Sequence, residues 1–464
     1  MVASHLHHHQ LSLWEINKSF ISFIEKDMEI KYIRKRDGSV KEFEIDKVES
    51  AILKALYETG EGEVVDSKKV AELVHQKTIA MCVQAATANP EDPISKKCID
   101  GYPAVEEVQD LVEQALMELD YFESAKAYII YRNARKKLRQ RDIFKKRTNL
   151  KPYEYPELYE YVSSIRHSYW IHTEFNYTSD VNDFHINVTS TERNAIKNAM
   201  LAIAQIEVTV KTFWGDIYKK MPKPEIGAVG FTFAESEVRH MDAYSHLLEI
   251  LGLNSEFENI TKIPVIQKRI AYLEKTVTLA RTEDNRQYMH SVLLFSLFIE
   301  HVSLFSQFLI IMSFNKNRNL FKGISNAVEA TSKEEQIHGM FGIDIINIIK
   351  KEHPEWFDDN CKKMILDACE EAYKAESEVI DWIYEAGELD FLPSTNVKEF
   401  VKNRFNNSLV AIGLPRIFEV SEALLEETDW FDNEVIATKH VDFFQKRSIN
   451  YNKRSASVTS EDLF

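Results

Sequence analysis

The chain has 464 residues and, with 73 acidic against 57 basic side chains, a net charge of −16. That length implies two or three folding units with at least one sizeable core, and that charge argues against a general nucleic-acid binder. Only 13 Gly and 11 Pro interrupt long stretches rich in Leu, Ile, Ala, Glu and Lys, so a mainly α protein is expected rather than a sandwich or barrel. The four cysteines, Cys82, Cys98, Cys361 and Cys369, form no C-x-x-C pair. Neither a zinc site nor a disulfide framework is therefore expected, and the chain reads as reduced and cytoplasmic.

Residues 1–28 open on His5-Leu6-His7-His8-His9 and read as a leader, a tag remnant or an upstream-start artefact rather than a metal tract, with Met28 a candidate start. From Tyr32 to Ser39 an Asp37-Gly38 turn signals a hairpin. A helix is expected from Asp46 as N-cap, with further helices at about 67–84, 104–118 and 122–140 and a proline-containing loop over 85–103. A basic run from Arg132 to Arg147 closes this region, and a linker spanning 141–160 carries Pro152 and Pro156. Long helical patterns run from 185 to 350, broken at Pro222 and Pro224, and continue to about 428. Residues 448–464 have little hydrophobic periodicity and read as a flexible tail.

Ser291 to Phe314 is long and apolar enough to span a bilayer. Glu300, His301 and Gln307 stand in its middle, so a helix buried on all sides in a large core is expected instead, with no membrane contact. Glu300 is then the residue that needs a reason to be there.

Glu237-Val238-Arg239-His240 and Glu335-Gln336-Ile337-His338 are both Glu-x-x-His, which puts a carboxylate and an imidazole on one helix face. Alone the motif is weak, and Glu72-Leu73-Val74-His75 repeats it in the wrong region. Glu207 precedes Glu237 in an apolar helical stretch, and Glu300 precedes Glu335 in the most apolar helix of the chain. A lone buried carboxylate is ordinarily paired with Lys or Arg. Six residues in the order Glu, Glu-x-x-His, Glu, Glu-x-x-His instead match a ferritin-like bundle that directs four carboxylates and two imidazoles onto two metal ions. Oxygen and imidazole donors suit iron or manganese.

The order and spacing of Glu207, Glu237, His240, Glu300, Glu335 and His338 resemble the small subunit of class I ribonucleotide reductases, over about residues 155–464. The resemblance implies a ferritin-like domain over 161–447 whose dinuclear iron or manganese centre generates an oxidising equivalent for a separate large subunit, which reduces ribonucleotides. It implies Tyr244, four residues after His240, as the radical tyrosine, Trp170 as an electron-relay residue, and Glu334 as the acid that orients a metal histidine. It implies Tyr451 as a relay tyrosine and 448–464 as the large-subunit docking tail. Two positions depart from the common pattern: Glu207 and Glu334 stand where the family often has Asp.

Lys35-Arg36-Asp37-Gly38-Ser39, Lys47, the block from Val105 to Val112 and the block from Ala125 to Arg132 resemble an ATP-cone over 29–140. That resemblance implies ATP or dATP bound as regulator, with Lys35, Arg36, Lys47, Lys126 and Arg132 offering charge to the phosphates. No Walker A loop is present to suggest hydrolysis. The family implies a homodimer, and a cone on each subunit leads to the expectation that dATP joins dimers into a tetramer. Two other readings of the residues stay open at this point: a ferritin-like di-metal oxygenase or storage protein, and a nucleotide-responsive binding protein without metal chemistry.

Overall fold

The computed structural model describes residues 30–436, apart from positions 37, 140, 209 and 210. Residues 1–28, Asp37, Tyr451 and the docking tail lie outside the described residues. The rest falls into two compact units, which meet in sequence at Gln140 and Arg141.

In the first unit, β1 (Tyr32–Arg34) pairs antiparallel with β2 (Val40–Glu42), with Tyr32 opposite Glu42. The Lys35 amide donates to the Ser39 carbonyl at 2.7 Å and closes the turn. Helix α1 (Ile45–Thr59) buries Val48, Ala51, Ile52, Ala55 and Leu56, the three-and-four spacing of a single apolar face. Its N-cap is Glu44, so Asp46 lies inside the first turn rather than capping it. There its charge still complements the helix dipole. Helices α2 (Val64–Thr87), α3 (Val105–Glu118) and α4 (Phe122–Arg139) complete the unit, around a core that includes Ile33, Ile52, Val70, Val74, Val108 and Leu116.

The stretch expected as a loop over 85–103 is more ordered than its prolines suggest. After α2 come a 3-10 turn (Pro93–Lys96), capped where the Asp92 carboxylate accepts from the Ile94 amide, and a short hairpin of β3 (Cys98–Ile99) with β4 (Tyr102–Pro103). Here the cysteine reading is corrected: Cys82 on α2 and Cys98 on β3 are joined by a disulfide. The two lie 16 residues apart on different elements, so no local spacing announces the pair. Cys361 and Cys369 are free and buried.

The second unit is a helical bundle. In order it contains α5 (Pro156–His167), α6 (Ser190–Glu207), α7 (Lys211–Lys220), α8 (Pro224–Leu251), α9 (Pro264–Leu279), α10 (Asn285–Leu294), a π-helical segment (Phe295–Ser303), α11 (Phe305–Arg318), α12 (Lys322–Glu352), α13 (Asp359–Ile383) and α14 (Ser394–Ala411). Thr189 and Glu192 form a capping box on α6, and Pro224 occupies the first turn of α8, where its missing amide costs nothing. Gly252 ends α8 at φ 70°, the left-handed conformation of a helix C-terminus.

The continuous helical run Asn285–Arg318 is long and apolar enough to cross a membrane, and its most apolar stretch is wholly buried in the bundle. It is the central helix of the core. Its middle is the π segment, a local widening that often marks a functional site. Helix α12 packs close against it: a Cβ added at Gly342 would lie 2.1 Å from the Ser296 hydroxyl oxygen, so only glycine allows this approach. Arg269 on α9 is fully buried and ties two helices together, donating to the Ala202 carbonyl on α6 at 3.1 Å and to the Ser303 carbonyl, at the end of the π segment, at 2.8 Å. Its counter-ion is buried Glu376, 3.3 Å away on α13.

Candidate metal centre

Four helical stretches converge on one buried cluster of side chains. Helix α8 supplies Glu237 and His240, α12 supplies Glu335 and His338, α6 ends on Glu207, and the π segment carries Glu300. None of the six is more than 2% exposed. His338 Nδ1 lies 3.0 Å from Glu237 Oε1, 3.3 Å from Glu335 Oε2 and 3.5 Å from Glu300 Oε2. His240 Nδ1 lies 3.0 Å from Glu335 Oε1 and 3.5 Å from Glu237 Oε2. Glu237 and Glu335 therefore each turn one oxygen towards each imidazole. The donors fall into two overlapping groups, Glu207, His240 and Glu335 in one and Glu237, Glu300, Glu335 and His338 in the other.

The outer nitrogens of both rings are already engaged. Glu334 Oε2 lies 2.7 Å from His240 Nε2, and the Ser236 hydroxyl lies 2.9 Å from His338 Nε2. Each Nδ1 is left facing the centre. Both Nδ1 atoms, both oxygens of Glu207, Glu237 and Glu335, and Oε2 of Glu300 are buried without a hydrogen bond.

Such a cluster is costly unless cations or protons compensate it. Burial, helped by neighbouring Glu335 and Glu237, raises the proton affinities of Glu207 and Glu300. Burial alone would lower the affinities of the two imidazoles, but the surrounding carboxylates outweigh it and raise them. Four carboxylates match the charge of two divalent cations, and the oxygen and imidazole donors fit iron or manganese.

The family model "Ribonucleotide reductase, small chain" matches residues 147–424, and "ATP cone domain" matches residues 31–137. This protein belongs to the ribonucleotide reductase small-chain family. It is 24% identical over 330 residues to the probable ribonucleoside-diphosphate reductase small subunit of invertebrate iridescent virus 3, covering 68% of this sequence and 86% of that one. It is 25% identical over 245 residues to the ribonucleoside-diphosphate reductase subunit beta of Chlamydia pneumoniae, covering 51% and 69%. The fold is similar to that of dimanganese(II)-NrdF from Streptococcus sanguinis, with a TM-score of 0.54 and 16% identity over 63% of this sequence and 100% of that one. The protein is thus a small subunit of ribonucleoside-diphosphate reductase, an oxidoreductase component that works with a large subunit.

Around the donor set of this reductase subunit, Glu334 is a hub. Besides His240 it accepts from Trp170 Nε1 at 3.2 Å and from both terminal nitrogens of Arg239, at 3.2 and 3.1 Å. The Trp170 ring stacks over the His240 ring, centroids 5.9 Å apart. Tyr244 stands one turn beyond His240, buried, its hydroxyl without a hydrogen bond. Burial and the Glu207 carboxylate push its proton affinity well above that of an ordinary tyrosine. Sequence reasoning missed Ser236, Arg239 and Trp214, which donates from Nε1 to Glu300 Oε1 at 3.0 Å. Arg239 lies inside the Glu237–His240 motif, and that position is the signal that marks it. Trp214 comes from a helix without a donor and had no spacing to flag it.

The third Glu-x-x-His gathers no cluster: exposed Glu72 accepts from Gln76, and His75 stacks on Phe43. Of the five residues expected to offer charge to the phosphates, Arg36 and Arg132 meet at Glu106, which is ion-paired with both. Arg132 is held further by Asp110 and Glu113, and Arg36 donates to Gln109 at 2.9 Å. Lys47 and Lys126 pair with Glu44 and Glu123, each three residues earlier in sequence, rather than with Glu106. Lys35 lies in the hairpin turn, next to Arg36.

Proposed function

We propose that Glu207, Glu237, His240, Glu300, Glu335 and His338 hold a dinuclear iron or manganese centre, and that through it this subunit generates the radical used by its large subunit. The observation that carries this reading is the set of buried oxygens and nitrogens without hydrogen bonds, gathered in two overlapping groups of side chains. Such a centre, once loaded and oxidised, supplies a one-electron oxidising equivalent.

The protein's own residues give it a setting. Glu334 fixes His240 through Nε2, Arg239 holds Glu334 in place, and buried Tyr244 keeps its hydroxyl proton in a dry site next to Glu207. Trp170, hydrogen-bonded to Glu334, is the proposed inner end of the relay to the large subunit, with Tyr451 its outer end and 448–464 the docking tail. We assign the subunit to the cytoplasm from its family.

Regulation is assigned to the ATP cone. Residues 29–140 bind ATP or dATP, with Lys35, Arg36, Lys47, Lys126 and Arg132 offering charge to phosphate in exchange for their present carboxylate partners where they have them, and dATP joins homodimers into an inactive tetramer. The coupling requires a differential affinity of about 1 to 3 kcal/mol between assembly states.

Metal analysis after reconstitution tests the centre, with about two Fe or Mn per subunit expected. Electron paramagnetic resonance of the oxidised protein tests Tyr244: a signal unchanged in Tyr244→Phe removes the tyrosine from the mechanism and leaves the metal site standing. Light scattering with ATP and with dATP tests assembly, and equal masses reject the tetramer.

A further inference from the structure

Helix α7 carries no donor, yet it is pressed against donor helix α8. A Cβ at Gly230 would lie 2.4 Å from the Ile217 side chain and 2.5 Å from the Trp214 carbonyl oxygen, and one at Gly227 would lie 2.6 Å from the Tyr218 ring. Two glycines on α8 thus let α7 approach far enough to set Trp214 into the core, where it is fully buried. Its ring is boxed edge-on by Phe213, Phe233, Phe295 and Phe341, at centroid distances of 5.2 to 5.5 Å. These four phenylalanines offer no hydrogen-bond donor.

Into this apolar wall the indole brings one N–H, and its acceptor is Glu300 Oε1. The consequence separates Glu300 from the other three carboxylates. Glu207, Glu237 and Glu335 have both oxygens free of hydrogen bonds, whereas Glu300 has only Oε2, and that oxygen faces His338 Nδ1. A buried indole N–H ordinarily finds some acceptor. Here the acceptor is a ligand residue of the proposed centre, and the other polar ring beside the indole, His338 at 6.2 Å between centroids, has its outer nitrogen engaged by Ser236.

We infer that Trp214 is a positioning residue of the metal centre: its N–H occupies Glu300 Oε1 and leaves Oε2 as the one oxygen Glu300 offers to the ion on the His338 side. This rests on the ligand set proposed above. Glu300 would then offer a single oxygen to an ion, whereas Glu237 and Glu335 keep both of theirs without a hydrogen bond. Losing the N–H frees Glu300 to turn or to offer both oxygens, and the effect is confined to the subsite of His338.

The test replaces Trp214 with 3-benzothienylalanine, which keeps the shape of the ring and lacks the N–H, alongside Trp214→Phe. Full-length parent and variants are titrated with Mn(II) under anaerobic conditions, and the two-ion form is read by electron paramagnetic resonance. Metal-free melting temperatures check the fold. The expected result for the benzothienyl variant is an unchanged metal-free melting temperature, one ion bound as in the parent, the other bound roughly 10-fold or more weakly, and an altered spectrum. Equal affinity for both ions with an unaltered spectrum overturns the inference, as does equal weakening of both. A parent that binds fewer than two ions removes the ligand set itself and the inference with it, an outcome visible before any variant is made. Failure of Trp214→Phe to fold leaves the benzothienyl comparison to decide.

Discussion

Glu334 accepts from the outer nitrogen of His240 across 2.7 Å, and both side chains are completely buried. The same carboxylate neutralises Arg239. Glu334→Ala leaves Arg239 with only exposed Glu235 and the Trp170 carbonyl as hydrogen-bond partners, and is expected to cost about 1 to 3 kcal/mol of stability, the penalty of buried polar groups left unsatisfied. Glu334→Gln keeps an acceptor and the fold, while metal affinity falls roughly 10- to 100-fold because the ring is no longer held by a charge. Urea unfolding and metal titration separate the two effects. Parent-like metal binding in both variants rejects the positioning role.

Arg269 and Glu376 form a second buried pair, away from the donors. Removing one partner, as in Arg269→Met, is expected to destabilise the bundle by about 3 to 5 kcal/mol. The double replacement of Arg269 by Met and Glu376 by Leu recovers part of that loss, because no unpaired charge remains. Full recovery is not expected, since the Ala202 and Ser303 carbonyls also lose their donor. Guanidinium unfolding of Arg269→Met, Glu376→Leu and the double variant gives the coupling energy directly.

In the ATP cone, burial alone would raise the proton affinity of Glu106, but hydrogen bonds from Arg36 and Arg132 outweigh it and hold the carboxyl below its ordinary value. A depressed acid contributes stability above its unfolded pKa and loses it as pH falls through the folded pKa. The cone is therefore expected to weaken as pH drops below the ordinary glutamate value of 4.5, and Glu106→Gln to flatten that limb. Hydrogen exchange across residues 30–139, measured on the whole protein at several pH values, reads the change. An acid limb identical in parent and variant rules Glu106 out as its source.

Reduction of Cys82–Cys98 opens a loop with a sequence separation of 16. Chain-entropy arguments put the loss at about 3 kcal/mol, so a dithiol reductant, or Cys82→Ala, lowers the melting temperature of the cone. Alkylation of unfolded protein followed by mass analysis counts two additional thiols after reduction. Four reactive thiols without reductant would show that the bond is absent.

What the sequence disclosed follows the range of the interactions involved. Glu237 with His240 and Glu335 with His338 are legible because three residues along a helix fix their common face. Glu207 and Glu300 are legible because a carboxylate inside an apolar helix needs a compensating partner. Trp214, Ser236 and Arg269 were not, since each acts on a residue brought to it by helix packing, and nothing in their own neighbourhoods differs from ordinary core. The disulfide was missed for the same reason. The helix boundaries at 105–118 and 122–139 were close to expectation, whereas the short hairpin after Pro93 was hidden in a stretch whose prolines suggested only a loop.

The N–H of Trp214 touches one end of the donor set and has no counterpart at Glu207 among the described residues, the two oxygens of Glu207 both lacking a hydrogen bond. The two halves of the proposed centre are therefore chemically distinct before any ion arrives. The half with His240 has a carboxylate free to choose its binding mode, and the half with His338 has one whose mode is restricted. Ions with different tastes for coordination number would not distribute themselves at random between such halves. On the ligand set proposed above, ions would meet two unequal positions, so a mixture of iron and manganese is expected to distribute unevenly between them.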